Sequence, residues 1–183
     1  MLYPAQAVDG VVTLLGGSEL RAQLQAVPCN GLKDEAGQPL RCQIGDSVIT
    51  SGRCGQLPFD LVAHAVPPFW SDGNWERALC SAYASSLEGL VGRSGTAAEL
   101  WIASPLLGSG ARGAPSKQAA EAATSELVAW LVDAEQPPGE VVPTLRFRFV
   151  VLPGDGQAAL RTVCGAIAAA VEGSLQEDAL EVL

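Results

Sequence analysis

The residues of this chain best suited to chemistry lie between Gly108 and Gly113, in the run Gly108-Ser109-Gly110-Ala111-Arg112-Gly113. Three glycines in six positions permit positive φ angles and leave backbone amides uncovered by side chains. Pro115 follows at a place suited to the first turn of a helix. Uncovered amides followed by a helix N-terminus attract a phosphate or another anion, because N–H groups and helix dipole point the same way. The run lacks the lysine of a P-loop and the spacing of a dinucleotide fingerprint, so it also reads as a plain turn between strand and helix. Arg112 reads equally as a phosphate partner or as a solvated loop residue. The single histidine, His64, sits in an apolar run and reads as a hydrogen-bonded core residue. Asp9 reads as a strand-entry carboxylate, Trp70 and Trp75 as packing residues, and the five cysteines as small apolar side chains. No Ser-His-Asp set, carboxylate pair or zinc spacing can be assembled, so no catalytic residue, metal or cofactor is assigned.

The elements that must position this loop follow from the pattern. Leu100-Trp101-Ile102-Ala103 is a short apolar run, long enough for a buried central strand. A helix over about Pro115 to Val132 turns Ala119, Ala122, Ala123, Leu127 and Trp130 inward. Upstream, Ala7 to Leu15 reads as a buried strand, and Ser18 caps a helix over about Glu19 to Val27. Strands are expected at Asp46–Ser51 and Asp60–Val66, and an amphipathic helix at Trp75–Val91. Downstream come a proline-bearing loop at 136–143, a strand at Leu145–Leu152, a turn at Pro153–Gly156 and an alanine-rich helix over about Gln157 to Glu172. Residues 1–174 read as one domain and 175–183 as an acidic, fraying tail. Alternating strands and helices predict a mainly parallel sheet with helices on both faces. Ligands of such sheets sit at the carboxyl ends of the strands, where the loops after Ser104 and Leu152 meet.

Composition limits the partners. The 183 residues carry a formal net charge of −9, which argues against a general nucleic-acid binder. No apolar run approaches the roughly 20 residues of a membrane span. Cysteines at unequal spacings, without a secretion signal, read as reduced thiols of a soluble cytoplasmic or nuclear protein.

The order of motifs resembles the macrodomain family. Gly45–Thr50 (GDSVIT) is similar to the family's G-x-x-V-x-T strand, and Leu61–Trp70 (LVAHAVPPFW) to its strand ending H-x-V-G-P-x-W. ASPLLGSGARGAP is similar to the loop F-P-x-[IL]-[GS]-[TA]-G-x-x-G-x-P. Tyr3-Pro4-Ala5 and the following AVDGVV resemble its Y-P-x-D-A-I-V-N segment. The resemblance spans about residues 3 to 171 and is most specific from Gly45 to Ala120. It implies a three-layer α/β/α sandwich with a mixed, mainly parallel central sheet. It further implies binding of ADP-ribose or of mono-ADP-ribosylated protein. By carry-over, the amides of Gly108, Ser109, Gly110, Ala111, Arg112 and Gly113 wrap a diphosphate, Gly16 and Gly17 remain from a second glycine loop, and Pro153 and Gly154 border the adenosine.

The chain also departs from the family pattern. The family's N-A-A-N falls near Asp9–Leu14, where DGVVTL has no asparagine, and Glu19 stands where a small apolar residue would adjoin the diphosphate. The resemblance therefore implies a reader without chemistry of its own. The alternative is a degenerate macrodomain serving as a protein-interaction scaffold, and an ADP-ribosyl hydrolase ranks third.

Overall fold

The structure, a computed structural model, describes residues 8–29, 31–34, 36–133, 144–151, 154–170 and 180–182. Its first element corrects the sequence reading. Residues from Val8 to Ala26 form one helix, α1, with a non-helical break at Gly17 (φ 62°, ψ −147°). The expected strand at Ala7–Leu15 is helical over its described part. A nine-residue apolar run fits either state, and continuity with the following helix decides the matter. Asp9, expected at a strand entry, sits in the first turn of α1, where a carboxylate suits the positive end of the dipole.

Strands β1 (Ser47–Ser51) and β2 (Leu61–Ala65) form an antiparallel ribbon, with Ser47 opposite Ala65 and Ser51 opposite Leu61. Helix α2 (Trp75–Arg93) packs on the face carrying Ser47 and Ile49. Its Ser85 hydroxyl is 2.9 Å from that of Ser47. A Cβ on Gly89 would come within 2.6 Å of the Ile49 side chain, which would have to shift to admit it. Alternation puts Thr50 and His64 on the opposite face. There Thr50, 4% exposed, is bonded to His64 Nε2 at 2.9 Å. The histidine is thus hydrogen-bonded, as read, but half-buried rather than in the core. Burial lowers its pKa, opposed by the charge of Asp9 on α1.

The second sheet is parallel: β3 (Glu99–Ser104), β4 (Thr144–Phe149) and β5 (Leu180–Val182), in the order β3-β4-β5. Helix α3 (Ser116–Asp133) makes the crossover from β3 to β4, and α4 (Asp155–Ala170) follows β4. β5 lies inside the segment expected to fray as a tail. It is held there by parallel pairing with Phe147–Phe149 of β4. The loop expected at 136–143 lies outside the described residues.

Ile102, Phe147 and Phe149 face a core shared with Leu79, Tyr83 and Leu87 of α2, the alanines of α3 and Leu160 of α4. Tyr83 and Phe147 each meet Phe149 edge-on, at centroid distances of 6.4 and 5.0 Å, the geometry that aromatic quadrupoles prefer. Ala119, Ala122, Ala123 and Leu127 are buried as expected, and their small side chains let α2, α3 and α4 approach closely.

Two expectations are modified. The strand pairings are mainly parallel, yet they fall into two sheets: among the described residues no ladder joins β2 to β3. β3 is also neither central nor buried on both faces. Glu99, Trp101 and Ala103 point outward, and Trp101 is 58% exposed. Its indole donates to Glu99 at 2.9 Å, and the guanidiniums of Arg146 and Arg148 lie 5.2 and 5.6 Å from the ring. Cations stacked on an aromatic face account for how a tryptophan stays in water here.

Candidate functional site

The 105–115 loop leaves the carboxyl end of β3 and enters α3. Its shape is fixed by short-range bonds. Gly113 N–H donates to Gly110 C=O at 2.9 Å, and Ala114 N–H to Gly108 C=O at 3.0 Å. The Ser109 hydroxyl donates to Leu106 C=O at 2.8 Å. Gly108 (φ 83°) and Gly113 (φ 80°) occupy the left-handed region that these two turns demand. Pro115 stands one residue ahead of α3, and its carbonyl accepts the Ala119 N–H, opening the helix.

Leu106 and Gly108 are buried, whereas Gly110, Ala111 and Gly113 are exposed. Among the described residues, no acceptor meets the amide protons of Gly108, Gly110 and Ala111. The carbonyls of Leu106, Gly108 and Gly110 are occupied by bonds within the loop.

Two neighbours hold the loop in place. From α2, the buried Tyr83 hydroxyl accepts the Leu107 N–H at 2.9 Å, and Leu79 packs under Gly108. Burial raises the Tyr83 pKa well above its ordinary value, so the phenol stays protonated. From the β2–α2 connection, Trp70 N–H donates to Arg112 C=O at 2.9 Å. The Arg112 guanidinium lies 4.2 Å over the ring of Phe69. The Asp72 carboxylate accepts the Phe69 N–H at 2.9 Å, and the Trp70 and Trp75 rings pack with centroids 4.5 Å apart. The sequence identified Trp70 and Trp75 as packing residues. It missed Phe69, Asp72 and the Tyr83 hydroxyl, although Tyr83 was placed correctly on the inward face of α2.

The loop after β4 arrives at the same end. Val150 N–H donates to Ser104 C=O at 2.8 Å, extending the β3–β4 register past the strand ends. Gly154 C=O accepts the Ala158 N–H in the first turn of α4, and a Cβ on Gly156 would stand 3.9 Å from the Ser116 hydroxyl. The N-termini of α3 and α4 are therefore side by side. Pro153 lies outside the described residues.

Gly16 and Gly17 are placed elsewhere. Leu15 C=O accepts the Gln56 N–H at 2.8 Å, and the Glu19 carboxylate accepts the Gly55 N–H at 3.3 Å. These partners belong to the β1–β2 connection, at the opposite end of the ribbon from Trp70. Gly16 and Gly17 thus form the kink of α1 there, with Gly16 packed against Leu20, and no bond among the described residues joins them to the 108–113 loop.

The described cysteines are unpaired thiols, with Cys54 and Cys164 buried and Cys29, Cys42 and Cys80 half-buried. Burial, reinforced by neighbouring carboxylates, pushes Cys42 and Cys80 up to about 11, which keeps both as poorly nucleophilic thiols at neutral pH. Among the described residues, no group of three or more His, Cys, Asp or Glu is placed to hold a metal. No described helix is long and apolar enough to cross a membrane.

A parallel α/β unit with a glycine loop and two helix N-termini at its strand ends defines an α/β sandwich protein. A family model described as the Macro domain matches residues 2–123. The chain belongs to that family. It is 36% identical over 115 residues to O-acetyl-ADP-ribose deacetylase 2 of Pantoea vagans, covering 62% of this chain and 59% of that relative's length. It is 32% identical over 142 residues to a macro domain-containing protein of Listeria monocytogenes, covering 76% of this chain and 71% of the relative. Among solved structures it is similar to the Oceanobacillus iheyensis macrodomain with ADP, at a TM-score of 0.70 and 25% identity. That match covers 90% of this chain and 77% of the other.

Proposed function

We propose that this chain is a binding module for ADP-ribose, free or attached to protein, whose diphosphate rests on the 108–113 loop. The observation that carries the reading is the set of unpartnered amides at Gly108, Gly110 and Ala111, beside the paired N-termini of α3 and α4. Such amides compensate a diphosphate without a lysine, because the partial charges of the loop and both helix dipoles add. The similar Oceanobacillus macrodomain was solved with ADP, which supplies the same diphosphate chemistry. Ser109 and Arg112 belong to the same loop, and Gly154, at the start of α4, would border the adenosine. The unpaired thiols suit a reducing compartment.

A second reading is deacetylation of O-acetyl-ADP-ribose, favoured by the name of the Pantoea relative. It needs a group that activates water beside the distal ribose. Near the loop, the Ser109 hydroxyl donates to Leu106 C=O and one oxygen of the Asp72 carboxylate accepts the Phe69 N–H.

Isothermal titration with ADP-ribose, with AMP as control, tests the first reading. Binding in the micromolar range, about −8 kcal/mol, is the expected result. Absence of heat at millimolar ligand from a folded sample overturns it in favour of a protein-interaction scaffold. Release of acetate from O-acetyl-ADP-ribose at catalytic enzyme concentration would establish the second reading.

A further inference from the structure

The β1–β2 ribbon has an outer edge along β1, where among the described residues no further strand pairs. The register decides which groups lie on that edge. Gly52 N–H donates to Asp60 C=O at 2.8 Å and Val66 N–H to Asp46 C=O at 2.9 Å, so the even-numbered residues of β1 bond to β2. The odd-numbered ones, Ser47, Ile49 and Ser51, turn their N–H and C=O groups away from it. Both ends of this row are met by side chains. At Ser51, Gln23 of α1 answers both groups: its Oε1 accepts the N–H at 2.9 Å, and its Nε2 donates to the C=O at 3.4 Å. The Cys54 thiol donates to the same carbonyl at 3.6 Å. At Ser47, the N–H is accepted by Asp46 Oδ1 at 2.8 Å and by Ser85 Oγ at 3.1 Å, and the Ser85 hydroxyl donates to Asp46 at 2.6 Å. Between these ends, the N–H and C=O of Ile49 meet no partner among the described residues.

We infer that Gln23 and the Asp46–Ser85 pair close the β1 edge against strand addition by a second copy of this chain. A row of outward backbone groups is a template for another strand, and edges are usually blunted by charge, proline or a bulge. The strand itself, SVITS, carries no charged residue and no proline, so the blunting falls to its neighbours. A primary amide has the donor and acceptor of a peptide unit, and Gln23 therefore stands where the backbone of a next strand would stand. Symmetry names the occupant it excludes. Two copies of β1 laid antiparallel about a two-fold axis at Ile49 set Ser47 of each opposite Ser51 of the other. Each outer pair then needs one end of each copy, so closing either end interrupts both outer pairs. Helix α1 is held at the ribbon by more than Gln23. One turn earlier, Glu19 accepts the Gly55 N–H at 3.3 Å, and the Leu15 carbonyl accepts the Gln56 N–H. The Gln23 amide can thus be removed with α1 still tethered.

The experiment compares wild type, Gln23→Ala, Asp46→Ala/Ser85→Ala and the triple variant by sedimentation over a concentration series. Thermal melting and amide hydrogen exchange accompany each sample. Wild type and the two partial variants are expected to sediment as monomers. The mass of the triple variant rises toward double with concentration, and its Ile49 amide slows by about tenfold as the dimer fills. The non-additivity follows from the pairing, since only the triple variant opens both ends. A folded triple variant that stays monomeric overturns the inference, as does a dimer in which the Ile49 amide gains no protection. Pairing of wild type through Ile49 overturns it too, because the edge would then be open. Should the triple variant not fold, Gln23→Met/Asp46→Leu/Ser85→Ala, which better keeps side-chain volume, replaces it. The single variant Gln23→Ala gives an independent arm: its Ser51 amide is expected to exchange faster than in wild type at unchanged Glu19 contact, and an unchanged rate overturns the inference.

Discussion

Two glycine clusters of similar composition do opposite work in this chain. At Gly16 the missing side chain permits close packing, while Gly17 supplies the positive φ of the helix break. A Cβ on Gly16 would lie 2.5 Å from Leu20, and across the contact a Cβ on Gly55 would lie 2.1 Å from the Leu15 carbonyl oxygen. Here glycine is spent on density, and the amides of Gly55 and Gln56 are satisfied by Glu19 and Leu15. At Gly108–Gly113 a Cβ on Gly110 would meet nothing within 4 Å, and among the described residues no acceptor meets the N–H groups of Gly110 and Ala111. Gly16 and Gly55 are held by what surrounds them, whereas nothing surrounds Gly110. At Gly17 the same sequence signal reports a helix kink.

Substitutions at the two clusters should therefore separate stability from binding. The largest effect is expected at the packed cluster. Gly55→Ala combines a positive φ of 58° with a collision against backbone, and should cost about 3 kcal/mol of stability, read as a lower denaturation midpoint. At the open cluster, Gly110→Glu should leave that midpoint within about 0.5 kcal/mol of wild type. It should also weaken ADP-ribose binding by about 100-fold, since a carboxylate then faces the diphosphate. If Gly110→Glu unfolds the protein, or binds normally, the contrast between the clusters is lost.

Smaller effects sharpen the comparison. Tyr83→Phe removes the acceptor of the Leu107 N–H and should cost about 1–2 kcal/mol, with slower amide exchange at Leu107 in wild type than in the variant. Glu19→Gly tests whether the packed cluster touches ligand at all. The sequence suggests that this carboxylate repels a diphosphate, so its removal would raise affinity. The Gly55 N–H contact at 3.3 Å instead predicts unchanged titration curves and a loss of about 1 kcal/mol in stability. The smallest expected effect is the pH dependence of the ribbon. The folded His64 pKa lies below its ordinary value, so the unfolded chain takes up the proton first as pH falls. The stabilising contribution is complete above about pH 6.5 and is lost as pH drops below that value. Melting temperatures of wild type and His64→Gln should converge on acidification.

The C-terminal two thirds of the fold was legible because its elements carry strong, unconflicted patterns. Trp75–Arg93 and Ser116–Asp133 have apolar positions at helical spacing, Ser47–Ser51 and Leu61–Ala65 are short and β-rich, and prolines or glycines mark the ends. Ala7–Leu15 was misread because strand and helix share its hydrophobic content, and only the continuation into Leu20 and Leu24 distinguishes them. The exposure of Trp101 was hidden because its partners, Arg146 and Arg148, come from a strand far along the chain. At the candidate site, the 108–113 loop could be read locally because its signal is its own backbone. Phe69 could not, since its significance arises only where the β2–α2 connection meets Arg112. The separation of Gly16–Gly17 from that loop was equally invisible, being a matter of where α1 packs.

The parallel pairing of β3 with β4 also has a bearing on the order in which the molecule assembles. β1 and β2 are joined by a short connection and pair antiparallel, so their ribbon closes a small loop. β3 and β4 can meet in parallel only after the chain has travelled the whole of α3 and returned. Closing that longer loop carries the greater entropy penalty and makes the slower step. The junction of the two helix N-termini, and with it the anion cradle, belongs to the late event. A refolding experiment should recover the ribbon's hydrogen-exchange protection before any ligand-binding competence.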